Sequence, residues 1–500
     1  MLCFARLLGI YLSIHLIWLY RSCYGGDPYV FFDWRVSYIT AAPLGTKQQI
    51  IAVNGQFPGP TLNVTTNWNV VVNDGVSGTN CPIPAGWNWT YNFQVKDQIG
   101  SFFYFPSLNF QRAAGGYGGI TINNRAIIPI PFGTPDGDIT LLISDWYTKS
   151  HKELRKGLED GHDLGAPDGV LFNGLGPVHY DANHSPGNTN FLTVNVEPGK
   201  TYRIRVSNVG ISTSLNFRIQ NHYLVLVETE GSYTVQQKYT DLDIHVGQSY
   251  SFLVTMDQDA SSDYYIVASP RFVNSSSGGG AVGVAALHYT NSQGPTSGPL
   301  PDLPNDIDPS YSMNQAKSIR WNLTASAARP NPQGSFRYGE ITVTDVYVLV
   351  SRPAELIDGK WHATLNGLSY FTPSTPLTLA QLYKLSGVYK LDFPSRPMNR
   401  HSRLDTSLIN ATYKSFVEII LQNTGTIVQT YHLDGHAFFV VGMDYGMWTE
   451  NSRSTYNKDD AVARCTTQEL YLSVSNPEKD KSEVPLPNNM IYCGLLASLQ

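Results

Sequence analysis

Apolar and polar residues alternate through this chain in short bursts, and glycine, proline or asparagine closes each burst. The clearest runs are 30–39, 192–196, 201–206, 249–254 and 341–350. A period of two puts successive side chains on opposite faces, so these runs predict strands with one face buried. Thirty tyrosines and abundant valine suit such half-buried pleated surfaces. The turn-into-strand segment Val196-Glu-Pro-Gly-Lys-Thr-Tyr-Arg-Ile-Arg-Val fits stacked Greek-key sandwiches. An all-β chain of antiparallel sandwiches is expected rather than strand–helix alternation. One helix interrupts the pattern. Ser150-His151-Lys152-Glu153 is a capping box, Leu154 and Leu158 follow at i and i+4, and Gly161 is a stop signal. His151 and His162 are read as solvated helix-end residues, not ligands.

Two Pro/Gly-rich stretches divide the chain. Segment 127–137 closes a first unit and segment 292–304 is a longer linker. The units expected are 27–131, 132–292 and 310–500, with 293–309 as linker. Residues 1–25 carry a short apolar run, 7–20, behind Arg6 and ahead of Ser22, Gly25 and Gly26. That pattern is a cleaved secretory signal, with a signal anchor as the alternative reading. Removing Arg6 and Arg21 from 34 basic residues leaves 32 against 40 acidic ones, a net charge near −8. This argues against nucleic acid as a partner. No hydrophobic tail follows Cys493, so neither a transmembrane nor a lipid anchor is expected in the mature chain.

Six Asn-x-Ser/Thr sequons, at Asn63, Asn88, Asn183, Asn274, Asn322 and Asn410, point to a secreted glycoprotein. Once the leader takes Cys3 and Cys23, the cysteines left are Cys81, Cys465 and Cys493. An odd count allows one bridge within a monomer and leaves one thiol. Glu228, Glu230 and Asp434 form no recognisable acid–base pair, and no catalytic residue is assigned. The Trp87-Asn88-Trp89 cluster is read as packing, with a carbohydrate platform as the alternative.

Five runs carry a resemblance: Asn54-Gly-Gln-Phe-Pro-Gly-Pro-Thr-Leu, Trp87-Asn-Trp-Thr-Tyr, Gln111-Arg-Ala-Ala-Gly-Gly-Tyr-Gly-Gly, Asp168-Gly-Val-Leu-Phe-Asn-Gly, and Tyr431 to Tyr456. They resemble the multicopper oxidases, and within them the plant ascorbate-oxidase-like branch called skewed-growth, pollen-specific or monocopper-oxidase-like. The resemblance implies three cupredoxin-like sandwiches and, by family, copper. It also implies a Cys81–Cys493 disulfide, because cysteines in these two contexts pair across the first and third domains of the family.

The ligand motifs depart from the family. Where oxidases carry Tyr-His-x-His, this chain has Tyr104-Phe105-Pro106-Ser107. In the His-rich run, Gln429 and Asp434 stand in ligand positions, His432 survives, and His436 matches a histidine that does not bind copper. No histidine lies between His15 and His151, and none follows His436. Blue-copper sites need imidazoles and a thiolate, and Cys465 has no flanking histidine. No cofactor is therefore expected. A relic site of His432, Asp434 and His436, spaced i, i+2 and i+4, is the one metal candidate; a hydrogen-bonded histidine is the alternative. Two family segments are also missing, one at Asn73–Asp74 and one at Gln468–Glu469, so the first and third sandwiches are expected to be truncated. These readings lead to a non-catalytic, secreted cell-wall or cell-surface glycoprotein in directional or pollen-tube growth, with wall polysaccharide or protein as partner. The alternative is a copper-dependent oxidoreductase of ascorbate-oxidase type.

Overall fold

The structure is a computed structural model. It describes residues 29–66, 69–70, 78–91, 93–95, 98–177, 192–273, 281–294, 296, 298–304, 308–323, 342–411, 415–425 and 427–468. The expected leader, Asn183, Asn274 and Cys493 lie outside these residues. Among the described residues no helix is long and apolar enough to cross a membrane.

The central unit is a complete sandwich. Its six-stranded sheet runs Gly169–Phe172, Gly137–Trp146, Thr201–Asn208, Ser249–Thr255, Leu224–Thr229, Ser232–Tyr239. The facing sheet has five strands, ordered Thr193–Val196, Gly283–Tyr289, Tyr264–Arg271, Ser214–Ile219, Asp241–Ile244. Inward residues of both sheets, among them Ile204, Val206, Phe217, Leu226 and Phe252, are fully buried in one core. This is the alternation of the sequence converted into packing. Most neighbours are antiparallel, but Thr201–Asn208 runs parallel to Gly137–Trp146 and Thr193–Val196 parallel to Gly283–Tyr289. Two parallel pairs inside an otherwise antiparallel sandwich require Greek-key crossovers rather than simple hairpins.

The outer units are more fragmentary among the described residues. The first contributes two three-stranded sheets and the pair Val36–Ala41 with Gln48–Val53. The third has a five-stranded sheet whose longest strand is Val343–Ile357, between Lys360–Leu365 and Phe416–Asn423, plus two short pairs near the His432 segment. The expected continuous strand over 30–39 is broken between Val30 and Val36. The Asn54 side chain accepts from the Arg35 amide at 2.7 Å and donates to the Asp33 carbonyl at 3.0 Å. It thereby takes backbone groups that a strand ladder would use.

Helix α1, His151–Glu159, starts on the reciprocal Ser150/Glu153 capping box and stops before Gly161, whose φ is +89°. His151 is not solvated, as expected from sequence, but buried. Its Nδ1 meets the Asn109 carbonyl at 3.1 Å and its Nε2 the Tyr38 hydroxyl at 3.2 Å. A carbonyl can only accept, so Nδ1 carries the hydrogen and Nε2 accepts from Tyr38. His162 is exposed. Helix α2, Pro309–Ser318, was not legible beside the linker; Asp308 caps it and proline occupies its first turn. Helix α3 is the short Leu377–Leu382.

Polar groups weld the units together. Arg205 is almost fully buried and reaches Asp138 at 2.9 Å, Glu228 at 3.0 Å and the first unit's Ser101 at 2.8 Å. On the other side, Arg464 meets Glu230 at 3.0 Å and the Tyr250 hydroxyl at 2.7 Å. The same Glu230 carboxylate accepts from the amides of Cys465 at 2.6 Å and Thr466 at 3.2 Å.

Close by, His245 bridges Ser214 and Ser312 at 2.8 and 3.0 Å. Burial first, then Arg464 and Arg271, pull its pKa down to about 3. The folded state thus holds a neutral imidazole, while the unfolded chain takes up a proton below about pH 6.5. Between those values the unfolded state binds more protons, so stability falls as pH drops through the window and levels off below it. The contribution is at most ~1.4 kcal/mol per pH unit. Denaturant titrations of wild type and His245→Gln across this range should show a shallower pH slope in the variant; equal slopes would refute the assignment.

Candidate functional site

The positions that the sequence resemblance equates with copper ligands carry other chemistry. Strand Gly100–Tyr104 delivers Tyr104, whose hydroxyl donates to the Pro60 carbonyl at 2.8 Å and whose ring leans on Trp34 at 4.4 Å between centroids. Phe105 follows at a ligand position, and the Arg112 guanidinium lies over its ring at 4.4 Å and over Phe103 at 5.1 Å. Arg112 also donates to the Val209 carbonyl at 3.0 Å. Burial lowers its pKa to about 10, with Asp145 and then Tyr117 opposing, so it stays cationic at neutral pH. A place for an imidazole ligand has become an apolar platform for a fixed positive charge. Ser107, at the second ligand position, is exposed.

In the third unit, strand Thr430–His432 pairs antiparallel with Thr466–Gln468, setting His432 opposite Thr466. The Gln429 side-chain carbonyl accepts from Ser351 and Tyr431, both at 2.8 Å. His432 uses Nδ1 on the Thr466 hydroxyl at 2.7 Å and Nε2 on Asp434 at 3.2 Å. Both side chains of the His432–Asp434 pair are roughly two-fifths exposed, at 41% and 37%. The strand stops at His432 because Leu433 to His436 form a turn, with the His436 amide on the Leu433 carbonyl at 3.4 Å and Gly435 at φ +73°. Residues at i, i+2 and i+4 share a face only on an extended chain, and this turn breaks that condition. The structure brings His432 and Asp434 together without a third ligand: among the described residues no three His, Cys, Asp or Glu side chains are grouped to hold a metal ion.

Cys465 is a free cysteine between Arg464 and Thr466. Desolvation, then the neighbouring Glu230 carboxylate, hold its thiol well above the ordinary range. A copper–thiolate bond needs the opposite shift. Cys81 is disulfide-bonded, and its proposed partner Cys493 lies outside the described residues. Among the sequons, Asn63, Asn88 and Asn410 are exposed and Asn322 is half-buried. The donor set at the family ligand positions does not fit copper. It offers a phenyl ring, a serine, an amide already bonded twice, one carboxylate paired with a histidine, and that one imidazole engaged at both nitrogens.

Models of the multicopper oxidase family match residues 137–292, 374–469 and, for the first unit, 35–73 and 72–127. The monocopper oxidase-like protein SKU5 of Arabidopsis thaliana is 57% identical, covering 96% of this chain and 92% of its own length. The chain belongs to the multicopper oxidase family. The L-ascorbate oxidase of Cucurbita pepo var. melopepo is 30% identical, over 87% of this chain and 86% of that enzyme. Among solved structures, Fet3p, a multicopper oxidase that functions in iron import, superposes with a TM-score of 0.69. It covers 89% of this chain and 85% of its own at 19% identity, a likeness of fold alone. The fold is therefore all-β and cupredoxin-like.

The two missing segments leave a trace in this family member. The first-unit model matches in two pieces that break at residues 72–73, and the third-unit match ends at 469. The alignment to SKU5 extends over 537 positions, whereas 96% of the 500 residues here is 480. The remainder must be gaps in this chain. Sequence reasoning did not find the Glu230–Arg464 junction. Its one local signal was an acidic residue before Gly231 at a tight turn; Glu230 has φ +49°.

Proposed function

We propose that this protein is a secreted, glycosylated member of the oxidase-like branch that has kept the three-unit scaffold and given up copper redox chemistry. On this reading it serves a binding or structural role at the cell wall or outer cell surface, in directional or pollen-tube growth. What supports the reading is the presence of Phe105, Ser107, Gln429 and Asp434 where the resemblance would put copper ligands, with the Arg112 guanidinium over the Phe105 ring. Reactions that reduce dioxygen in this family draw on several copper-bound imidazoles, and those imidazoles are absent from the sequence. The exposed sequons support the compartment. The alternative, a copper oxidoreductase of ascorbate-oxidase type, is favoured only by family membership.

The experiment is oxygen uptake with ascorbate after incubation of the purified glycoprotein with copper, run beside a glycosidase digest. No uptake above that of free copper, together with a faster-migrating band after digestion, is the expected outcome. Turnover above the free-metal level would overturn the non-catalytic assignment. Unchanged mobility would overturn the secreted one.

A further inference from the structure

A groove of about 690 Å³ opens where the three units meet, far in sequence from the ligand positions of the third unit. Its walls come from Tyr38 and Gln111 of the first unit, helix α1 of the second, and the Gly359–Lys360 turn of the third. No Ala, Val, Leu, Ile or Met lines it; its residues are polar, charged or aromatic apart from Gly359. The protein as a whole carries a net charge of −6, yet four cations, Lys152, Arg155, Lys156 and Lys360, face this groove against two carboxylates, Glu159 and Asp160.

The ion pairs do not cancel the excess. Glu159 serves two cations at once, Lys360 at 2.8 Å and Arg155 at 3.0 Å. Lys156 takes Asp160 at 2.6 Å. Among the described residues Lys152 has no carboxylate partner; it lies one helical turn before Lys156 and on the same face. Arg155 is also held by the Asn109 side-chain carbonyl at 2.7 Å, and Glu159 joins α1 to the third unit through Lys360. The cations are thus mounted on a capped helix that is tied at both walls, a preorganised arrangement. An aromatic ring stands beside them: Tyr38, 49% exposed, lines the groove and is anchored through His151.

We propose that this groove binds an acidic oligosaccharide, a short chain of uronic acid residues. The carboxylates would lie on the Lys152/Lys156 face of α1 and on Lys360, and a sugar ring against Tyr38. Spaced cations beside the Gln111 amide and the Tyr38 ring match a ligand that repeats carboxylate, hydroxyls and a ring face. A compact inorganic anion would use only one or two of these groups. The proposal rests on the secreted, non-catalytic reading above, and its test is independent of copper and of glycosylation.

The test is isothermal titration calorimetry of the full glycoprotein at low ionic strength, with trigalacturonate as the probe. Maltotriose, citrate and inorganic phosphate are the comparison ligands. Saturable binding of trigalacturonate, weakened by added salt, with none of maltotriose and much weaker binding of citrate and phosphate, is the expected result. The double variant Lys152→Glu/Lys156→Glu should lose at least about tenfold in affinity, whereas Lys458→Glu, an exposed charge outside the groove, should bind as wild type. If the double variant does not fold, Lys360→Gln carries the same expectation in the same direction. Absence of binding, or binding untouched by the groove variants, overturns the site. Equal affinity for citrate or phosphate makes it a general anion patch and overturns the carbohydrate assignment.

Discussion

Glu230→Gln is expected to destabilise the protein by about 3–5 kcal/mol, because it strands a buried charge. Arg464 and Glu230 are 3% and 2% exposed at their side chains, and Glu230 is the carboxylate that Arg464 touches at 3.0 Å. The amide replacement keeps the shape, and its carbonyl oxygen can still accept two hydrogen bonds, but its NH2 end can accept none. It cannot satisfy Arg464 and the amides of Cys465 and Thr466 together. Breaking one partner of a buried pair costs more than the pair contributes as a whole. The effect should be selective for the junction: the short pairing of Thr466–Gln468 with Thr430–His432 would loosen first, so backbone amide exchange there should rise before that of the central core. Chemical denaturation with exchange mass spectrometry checks both. A loss below about 1 kcal/mol, the scale of a surface ion pair, would show that the junction is solvated.

Gly100→Ala is expected to have an effect of similar size on the opposite side of the same turn. Gly100 has φ +106°, and a Cβ built there overlaps the Glu230 carbonyl oxygen. That oxygen is backbone and cannot rotate away. It also receives the Ser101 amide at 3.3 Å. The methyl group must push strand Gly100–Tyr104 off the central unit, carrying with it the Ser101 hydroxyl that Arg205 uses. Strain of this kind costs of order 1–3 kcal/mol for the dihedral alone, before the contacts of Arg205 are lost. Limited proteolysis should cut the first unit early in the variant and leave the central sandwich intact; wild-type digestion kinetics would contradict the close approach.

These two residues flank what the sequence could not reveal. Alternation made the central sandwich legible, since strands at 193–196, 201–208 and 249–255 have the expected apolar faces, although the polar faces of the last two, with Arg205, Ser207, Ser249 and Ser251, are buried as well. The capping box at Ser150 made α1 legible to its first residue. Local signals end where side chains act at long range. Asn54 breaks the strand over 30–39 from 19 residues away, and Glu230 meets Arg464 across 234 positions. Neither leaves a periodic trace. The candidate copper site shows both sides of this. The loss of histidines was readable directly, whereas the turn at Gly435 that separates His436 from His432 and Asp434, and the cation over Phe105, required coordinates.

Among the described residues the pair His432–Asp434 is what the structure brings together of the expected relic site, and His432 has both ring nitrogens engaged. Copper content of the purified glycoprotein, measured by elemental analysis after dialysis against excess copper and then against buffer, tests the central claim most directly. The account predicts copper well below one atom per chain; one or more retained per chain would contradict it.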